Sequence, residues 1–283
     1  MDGDRSEVQR LYDACGAVFS PRRGGGLPTL TQIRWLQDIL DGMKAADVGI
    51  DAGAGDGERS SSSSSDDERS PRGRRFLSAR AFTRITYVHI HECDDFSVRA
   101  PVFLLQKMKM ACLSDGFGPA PRPGGAGVLQ IGVFCFPAGA TLPLHDHPHM
   151  AVLSKLLYGS MRVSSYDWVT APCSGPRKGG LAKVVAVDEL REAPCKASVL
   201  FPRSGGNIHT LTAVTPCALL DVLAPPYADD LGRPSTYFCD TPIPALPGFA
   251  VLEEARLPED FRVVGAPYVG PELAVDMDLY DDD

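Results

Sequence analysis

Six histidines stand in this chain, and five of them fall in two tight groups: His89 with His91, and His145, His147 and His149. A neutral imidazole keeps a lone pair on one ring nitrogen, which makes histidine the commonest side-chain ligand for a metal. In a strand, side chains at i and i+2 leave from the same face, so a His-x-His pair can present two imidazoles to one ion. The chain has two such pairs, His89-Ile90-His91 and His145-Asp146-His147, and a bare pair is weak evidence. The second has more around it. Gly139 stands six residues before His145, Gly159 stands twelve after His147, and Pro143-Leu144 leads into the motif. His149 extends the alternation by one step, with Pro148 interrupting it. No third partner follows His89 and His91 at useful spacing, so that pair reads as the flank of a strand. Asp221 is a lone carboxylate inside the apolar run 218–223, and its plainest reading is a satisfied strand-end residue.

Such residues need a rigid frame, and the chain is long enough to build one. Its 283 residues suit one or two domains, and 44% hydrophobic against 23% charged content fits a soluble globular protein. A net charge of -8 argues against nucleic acid or an anionic membrane as partner. No run approaches the roughly 18 apolar residues of a membrane span. The acidic opening MDGDRSEVQRLYDACGAVF reads as an amphipathic helix, not as a secretory signal. Eight cysteines without CxxC spacing indicate reduced thiols, hence the cytoplasm, the nucleus or both.

Two helices are expected first. Val8, Leu11, Tyr12, Cys15 and Phe19 share one face over 6–20, with Ser6 and Gln9 at capping-box spacing. Ile33, Leu36, Leu40 and Met43 repeat the pattern over 29–45. Residues 1–51 are therefore expected to pack on the main domain. Residues 52–75 offer almost nothing to a core and read as a disordered linker, with Arg72, Arg74 and Arg75 as solvated charge. From 76 to 270 the texture is short β-type runs, at 84–91, 128–136, 156–167, 183–187, 197–202, 208–214 and 217–223. Strands at this spacing without long helices argue for a mainly β sandwich or barrel, whose interior can hold a ligand or metal. Residues 271–283 form an acidic tail.

The larger pattern resembles the cupin superfamily, whose first motif reads G-x5-H-x-H-x3/4-E-x6-G. Gly139, His145, His147 and Gly159 match it, while the expected glutamate is replaced, position 151 being Ala and 152 Val. Gly206-Asn207-Ile208-His209 is similar to the histidine part of the second motif. The resemblance thus implies three imidazoles, His145, His147 and His209, and no carboxylate. Three neutral ligands leave a divalent iron its full charge and open positions, which suits a soft anionic thiolate together with dioxygen. Within the cupins, that ligand set is a feature of thiol dioxygenases. The stretches Pro143–Pro148, Leu153–Met161, Ser165–Trp168, Leu220–Tyr227, Tyr12–Cys15 and Val264–Tyr268 resemble the plant cysteine oxidases, to whose wider family the metazoan cysteamine dioxygenases belong.

This resemblance implies a cupin double-stranded β-helix, a jelly-roll barrel with N-terminal helices, holding Fe(2+) through His145, His147 and His209. It implies oxidation by O2 of the N-terminal Cys of protein substrates, ethylene-response transcription factors, to cysteine sulfinic acid. That step feeds N-degron degradation and acts as an oxygen sensor in the hypoxia response. Asp221, at the place of a family pocket aspartate, is expected to orient substrate or support the site; Tyr227 matches a pocket tyrosine; a monomer is expected. His149 could replace His209 as a ligand, but the family carries a small Gly where it stands, so it is expected at the rim or supporting the ligands. Some members carry a Cys–Tyr pair near the site; this chain has Ser235, Tyr237 and Cys239 there, so a thioether is not expected. Where relatives run almost directly from one strand to the next, residues 99–130 intervene, and the domain tolerates them only if they bulge outward. Two other functions stay open: a dioxygenase of a free thiol such as cysteamine or cysteine, and a non-catalytic cupin binding a metal or peptide.

Overall fold

The computed structural model describes residues 5–19, 28–52, 76–78, 81–94, 127–170, 179–229 and 231–274. The expectations for 53–75, including Arg72, Arg74 and Arg75, for 95–126 and for 275–283 lie outside the described residues.

Two helices come first, α1 (Glu7–Phe19) and α2 (Leu30–Gly42). Thr29 closes a capping box with Gln32 at the start of α2. On α1 only half of the box forms: Ser6 Oγ accepts the Gln9 N–H at 3.2 Å. The Gln9 amide instead holds the far end of the chain, donating to the Ala274 carbonyl at 3.0 Å and accepting its N–H at 2.7 Å. The strands are β1 (Ile50–Asp51), β2 (Leu77–Ser78), β3 (Thr86–Asp94), β4 (Gly127–Phe136), β5 (Thr141–His145), β6 (Ala151–Tyr158) and β7 (Ser160–Trp168). After them come β8 (Gly179–Glu192), β9 (Ser198–Leu200), β10 (Ile208–Ala213), β11 (Cys217–Ala224), β12 (Phe238–Pro242), β13 (Phe249–Glu254) and β14 (Val264–Ala266).

Twelve of these strands make two six-stranded sheets, ordered β14-β3-β4-β11-β6-β9 and β12-β13-β8-β7-β10-β5. From β4 to β7 each strand lies in the opposite sheet to the one before it, and β8 to β12 alternate in the same way. That alternation is the double-stranded β-helix of a cupin jelly roll. The central strand β11 is buried along its whole length. Ala218, Leu220, Val222 and Ala224 pack outward with Leu11, Cys15, Leu36 and Leu40 of the helices. Cys217 and Leu219 point inward with Phe134, Phe136, Met161 and Leu211. A strand covered on both faces shows no polar alternation, which is why 217–223 reads as one apolar run. Asp221 occupies an inward position of that strand by the same alternation.

The expected run 156–167 is two strands. The chain breaks at Gly159, whose φ of 78° and contact with the Pro216 carbonyl leave no room for a Cβ. β8 is longer than 183–187, and β1, β2, β12, β13 and β14, being short or mixed in polarity, are not among the expected runs. The inserted segment also starts and ends earlier than the expected 99–130. β3 pairs with β4 as far as Cys93↔Leu129 and Asp94↔Gly127, so 127–130 belong to β4 and the connection is 95–126. The residues that flank it, Asp94 and Gly127, are register partners. The β3–β4 pairing on either side of the insertion is in place. No helix among the described residues is long and apolar enough to cross a membrane.

Because Asp94 and Gly127 already face each other, the connection is replaceable. Substituting a four-residue Asn-Gly turn for 95–126 shortens the closed loop about eightfold, worth about 2 kcal/mol of added stability from loop-closure entropy. Denaturant unfolding should show a gain of up to that size with an unchanged circular dichroism spectrum; a collapsed or molten variant would contradict the pairing.

Candidate metal centre

His145 ends β5 and His209 lies on β10, where the two are direct register partners across an antiparallel pair. His147 lies just beyond the strand, in a turn closed by Met150 N–H on the His147 carbonyl. The extended geometry expected through His147 therefore stops at His145, since Pro148 has no N–H to offer and His149 turns the chain at φ 60°. A side chain replaces the missing ladder. The buried Asn207 amide accepts the His147 N–H at 3.1 Å and donates to the His147 carbonyl at 2.9 Å and the Phe201 carbonyl at 3.0 Å. Asp167 Oδ1 in turn accepts the N–H groups of Gly206 and Asn207, at 2.9 and 3.0 Å. Gly206, at φ 83°, lies so close to Ser165 that a Cβ would collide with it.

The three rings converge. Candidate ligand nitrogens of His145, His147 and His209 all lie within 4.8 Å of one another, and Nε2 of His147 is 3.4 Å from Nε2 of His209. Their outer nitrogens are held by the protein. His145 Nδ1 is 2.8 Å from the Pro143 carbonyl, which can only accept, so that nitrogen carries the proton. The Tyr227 hydroxyl lies 2.8 Å from both the Asp146 carbonyl and His147 Nδ1. Its single proton goes to the carbonyl, so His147 Nδ1–H donates to the phenol oxygen and Nε2 is left with its lone pair. The Gly206 backbone engages the His209 ring. Burial, the largest cause, lowers the pKa of His145 to about 4 and of His209 to about 3, and pushes His147 well below the ordinary value. All three are neutral at pH 7, as a metal requires.

The donor set therefore fits a transition metal. It contains no carboxylate: Val152, at the place of the cupin glutamate, packs among Met150, Leu200 and Leu223. Among the described residues no other group of three or more His, Cys, Asp or Glu ligands comes together. His149 is exposed and outside the cluster, and its left-handed φ explains why glycine suits that place. His89 is largely buried, which lowers its pKa to about 4, and the ring of His91 packs edge-on against Tyr12 at 4.6 Å.

Asp221 faces the barrel interior in register with Gly132 on one side and Ser154 on the other. Burial raises its pKa to about 7 against a bond from Ser154, and its Oδ1 has no hydrogen-bond partner. Tyr227 stands behind His147, where burial and the fields of Asp146, Tyr237 and Asp221 hold its pKa high and keep it a donor. Tyr237 is bridged to His145 backbone to backbone, their rings 6.2 Å apart, and its buried hydroxyl is unpartnered. Cys239 is exposed with Sγ on the Glu253 carbonyl at 3.6 Å, and it is a free thiol. Asn207, Asp167 and the hydroxyl of Tyr237 had no assigned role in the sequence reading. The only signal for the first was its place two residues before His209. A cavity of about 60 Å³ reaches His209 between Ser154, Leu156, Arg191, Ser198 and Gly206.

Residues 127–273 match the PCO_ADO family model. The chain is 37% identical over 284 residues to plant cysteine oxidase 1 of Arabidopsis thaliana, covering 94% of this chain and 80% of that protein. It is 29% identical over 226 residues to 2-aminoethanethiol dioxygenase of Homo sapiens, covering 67% of this chain and 68% of that one. An RmlC-like cupin crystal structure from Desulfovibrio desulfuricans aligns over 50% of this chain and 84% of that chain, at 18% identity and a TM-score of 0.27.

Two substitutions test this geometry. Tyr227→Phe removes the acceptor that fixes the His147 ring and should weaken divalent-metal affinity about 10- to 100-fold, read by titration calorimetry; an unchanged affinity would show that the bond is idle. In the metal-free protein, Asp221 binds its proton more tightly folded (about 7) than at its ordinary value of 3.8. Its raised pKa means that stability is lost as pH rises from 3.8 to 7 and stays lost above. Asp221→Asn is free of that loss, so its stability advantage should grow by about 1.4 kcal/mol per pH unit across the window and level off above it. A pH-independent difference would mean that the carboxyl is solvated.

Proposed function

This chain belongs to the PCO_ADO family and is a thiol dioxygenase, and on that premise we propose that it oxidises the N-terminal cysteine of target proteins to cysteine sulfinic acid. Both atoms of O2 go onto the sulfur, R–SH + O2 giving R–SO2H. Sulfur loses the four electrons that O2 gains, so no other reductant is consumed. The observation that carries this reading is the set of three neutral imidazoles without a carboxylate, in a barrel whose buried Asp221 carboxyl lacks one partner.

Fe(2+) held by His145, His147 and His209 would supply the Lewis acidity that ionises the thiol and the electrons that engage O2. The chain's own residues do the rest. Tyr227 and the Pro143 carbonyl keep the inner nitrogens of His147 and His145 free of protons. Asp221 Oδ1 and the Tyr237 hydroxyl are buried and unpartnered, and in this reading they receive the α-ammonium of an N-terminal cysteine. The positive charge of that ammonium would lower the Asp221 pKa, so that its carboxyl would release its proton to solvent and become a carboxylate, a change that its pKa near 7 makes cheap. The apolar inner wall, with Leu156, Met161 and Leu211, keeps water from competing.

A protein substrate is favoured over a free thiol because the match to plant cysteine oxidase 1 spans 94% of the chain, against 67% for human 2-aminoethanethiol dioxygenase. We extend the proposal to ethylene-response transcription factors as substrates, a monomeric enzyme, and an oxygen-sensing step ahead of N-degron degradation. The free cysteines among the described residues agree with action in the cytoplasm or nucleus.

The test is mass spectrometry of iron-loaded protein under isotopically labelled O2. A peptide starting with cysteine should gain two labelled oxygens, its N-acetylated counterpart should react far more slowly, and cysteamine should compete poorly. Cysteamine as the better substrate would move the function to free thiols. Metal binding without any thiol oxidation would contradict the catalytic reading.

A further inference from the structure

One wall of the cavity at His209 is formed by Cys195, Lys196 and the strand β9, Ser198 to Leu200. That wall is not held only by its own sheet. Asp41, in the last turn of α2, accepts the Ala197 N–H on Oδ1 at 2.6 Å and the Lys196 ammonium on Oδ2 at 2.8 Å. One turn earlier on the same helix, Gln37 donates to the Ala197 carbonyl at 3.0 Å. From beneath, Lys155 of β6 donates to the Cys195 carbonyl at 2.6 Å and the Asp41 carbonyl at 3.3 Å, with its ammonium 3.7 Å from Asp41 Oδ1. The Lys155 side chain is 7% exposed and that of Asp41 is 18% exposed. An ammonium buried to that degree is retained only if its partners are fixed, and a helix turn is a rigid place to fix them.

The far end of the wall is equally tight. Gly205 lies so close to the Val199 carbonyl and the Leu200 Cα that a Cβ there would sit 2.8 and 3.0 Å from them. Gly206, Asn207 and His209 follow. A shift of the 195–200 segment is therefore passed along packed backbone to the turn that leads into His209 on β10. Resting on the reading that a substrate thiol enters this cavity, we propose that Asp41 and Lys155 form a clamp through which α2 fixes the cavity wall and so sets how tightly substrate is held. They are positioning residues: neither lines the cavity, and both act through the Cys195–Ala197 backbone.

The test compares Asp41→Asn and Asp41→Ala with the full-length iron-loaded enzyme, using a cysteine-starting peptide. Losing one charge-assisted bond should raise KM about tenfold, with kcat and iron content kept within about twofold. Ile33→Val, which trims the buried face of α2 away from the clamp, should lower Tm and leave KM alone. Alkylation of Cys195, followed by peptide mapping, reads the wall without turnover. Cys195 is a half-buried free thiol and should be labelled faster in both Asp41 variants. Faster labelling with raised KM supports the clamp. Unchanged labelling overturns it, and faster labelling with unchanged KM overturns its part in substrate binding. Should the unsubstituted protein oxidise no thiol, the functional reading fails by itself and the labelling contrast still decides whether the clamp holds the wall.

Discussion

Everything at the site follows from one backbone register, the pairing of His145 on β5 with His209 on β10. Cross-strand partners on one face sit close enough for their rings to meet one ion, and that closeness is fixed by hydrogen bonds no side chain can slip. The third ring lies beyond the strand, and the Asn207 amide ties its backbone to the β10 side of the site. Burial then removes protons from all three imidazoles, and the Pro143 carbonyl and Tyr227 hydroxyl select which nitrogen keeps one. Register, amide strap and desolvation together make a metal site from neutral ligands alone.

The rest of the fold protects that register. β11 is sandwiched between the helices and the barrel interior, so the sheet carrying Asp221 has little freedom to move. The connection 95–126 leaves and rejoins the sheet at paired residues, which lets a long addition exist without disturbing β3 and β4. The helices do more than cover apolar surface, since α2 reaches past the sheet to the 195–197 segment beside the cavity.

Much of this was legible in residue order, for identifiable reasons. The apolar spacing of Val8, Leu11, Tyr12 and Cys15, and of Ile33, Leu36 and Leu40, gave both helices because a 3.6-residue period is a local signal. Strands with strong β-type runs were visible, while β12 and β14 were hidden because short edge segments carry little pattern of their own. The ligand candidates came from motif spacing and the missing glutamate. The residues that hold those ligands did not, since Asn207, Asp167 and Tyr237 act through contacts across 39 to 92 positions of sequence. A hydrogen bond of that kind leaves no trace in spacing. Tyr227 shows the limit well: its place was noted, and only the two 2.8 Å contacts show that it faces His147.

The central claim is that three imidazoles, and no carboxylate from the chain, hold the metal. X-ray absorption at the iron edge of the Fe(2+)-loaded protein measures this directly. The account predicts first-shell scattering from three imidazole nitrogens at about 2.0–2.2 Å, with the outer-shell ring pattern of three histidines. A shell with only two imidazoles, or with a carboxylate oxygen from Asp221 in place of the third, would contradict it.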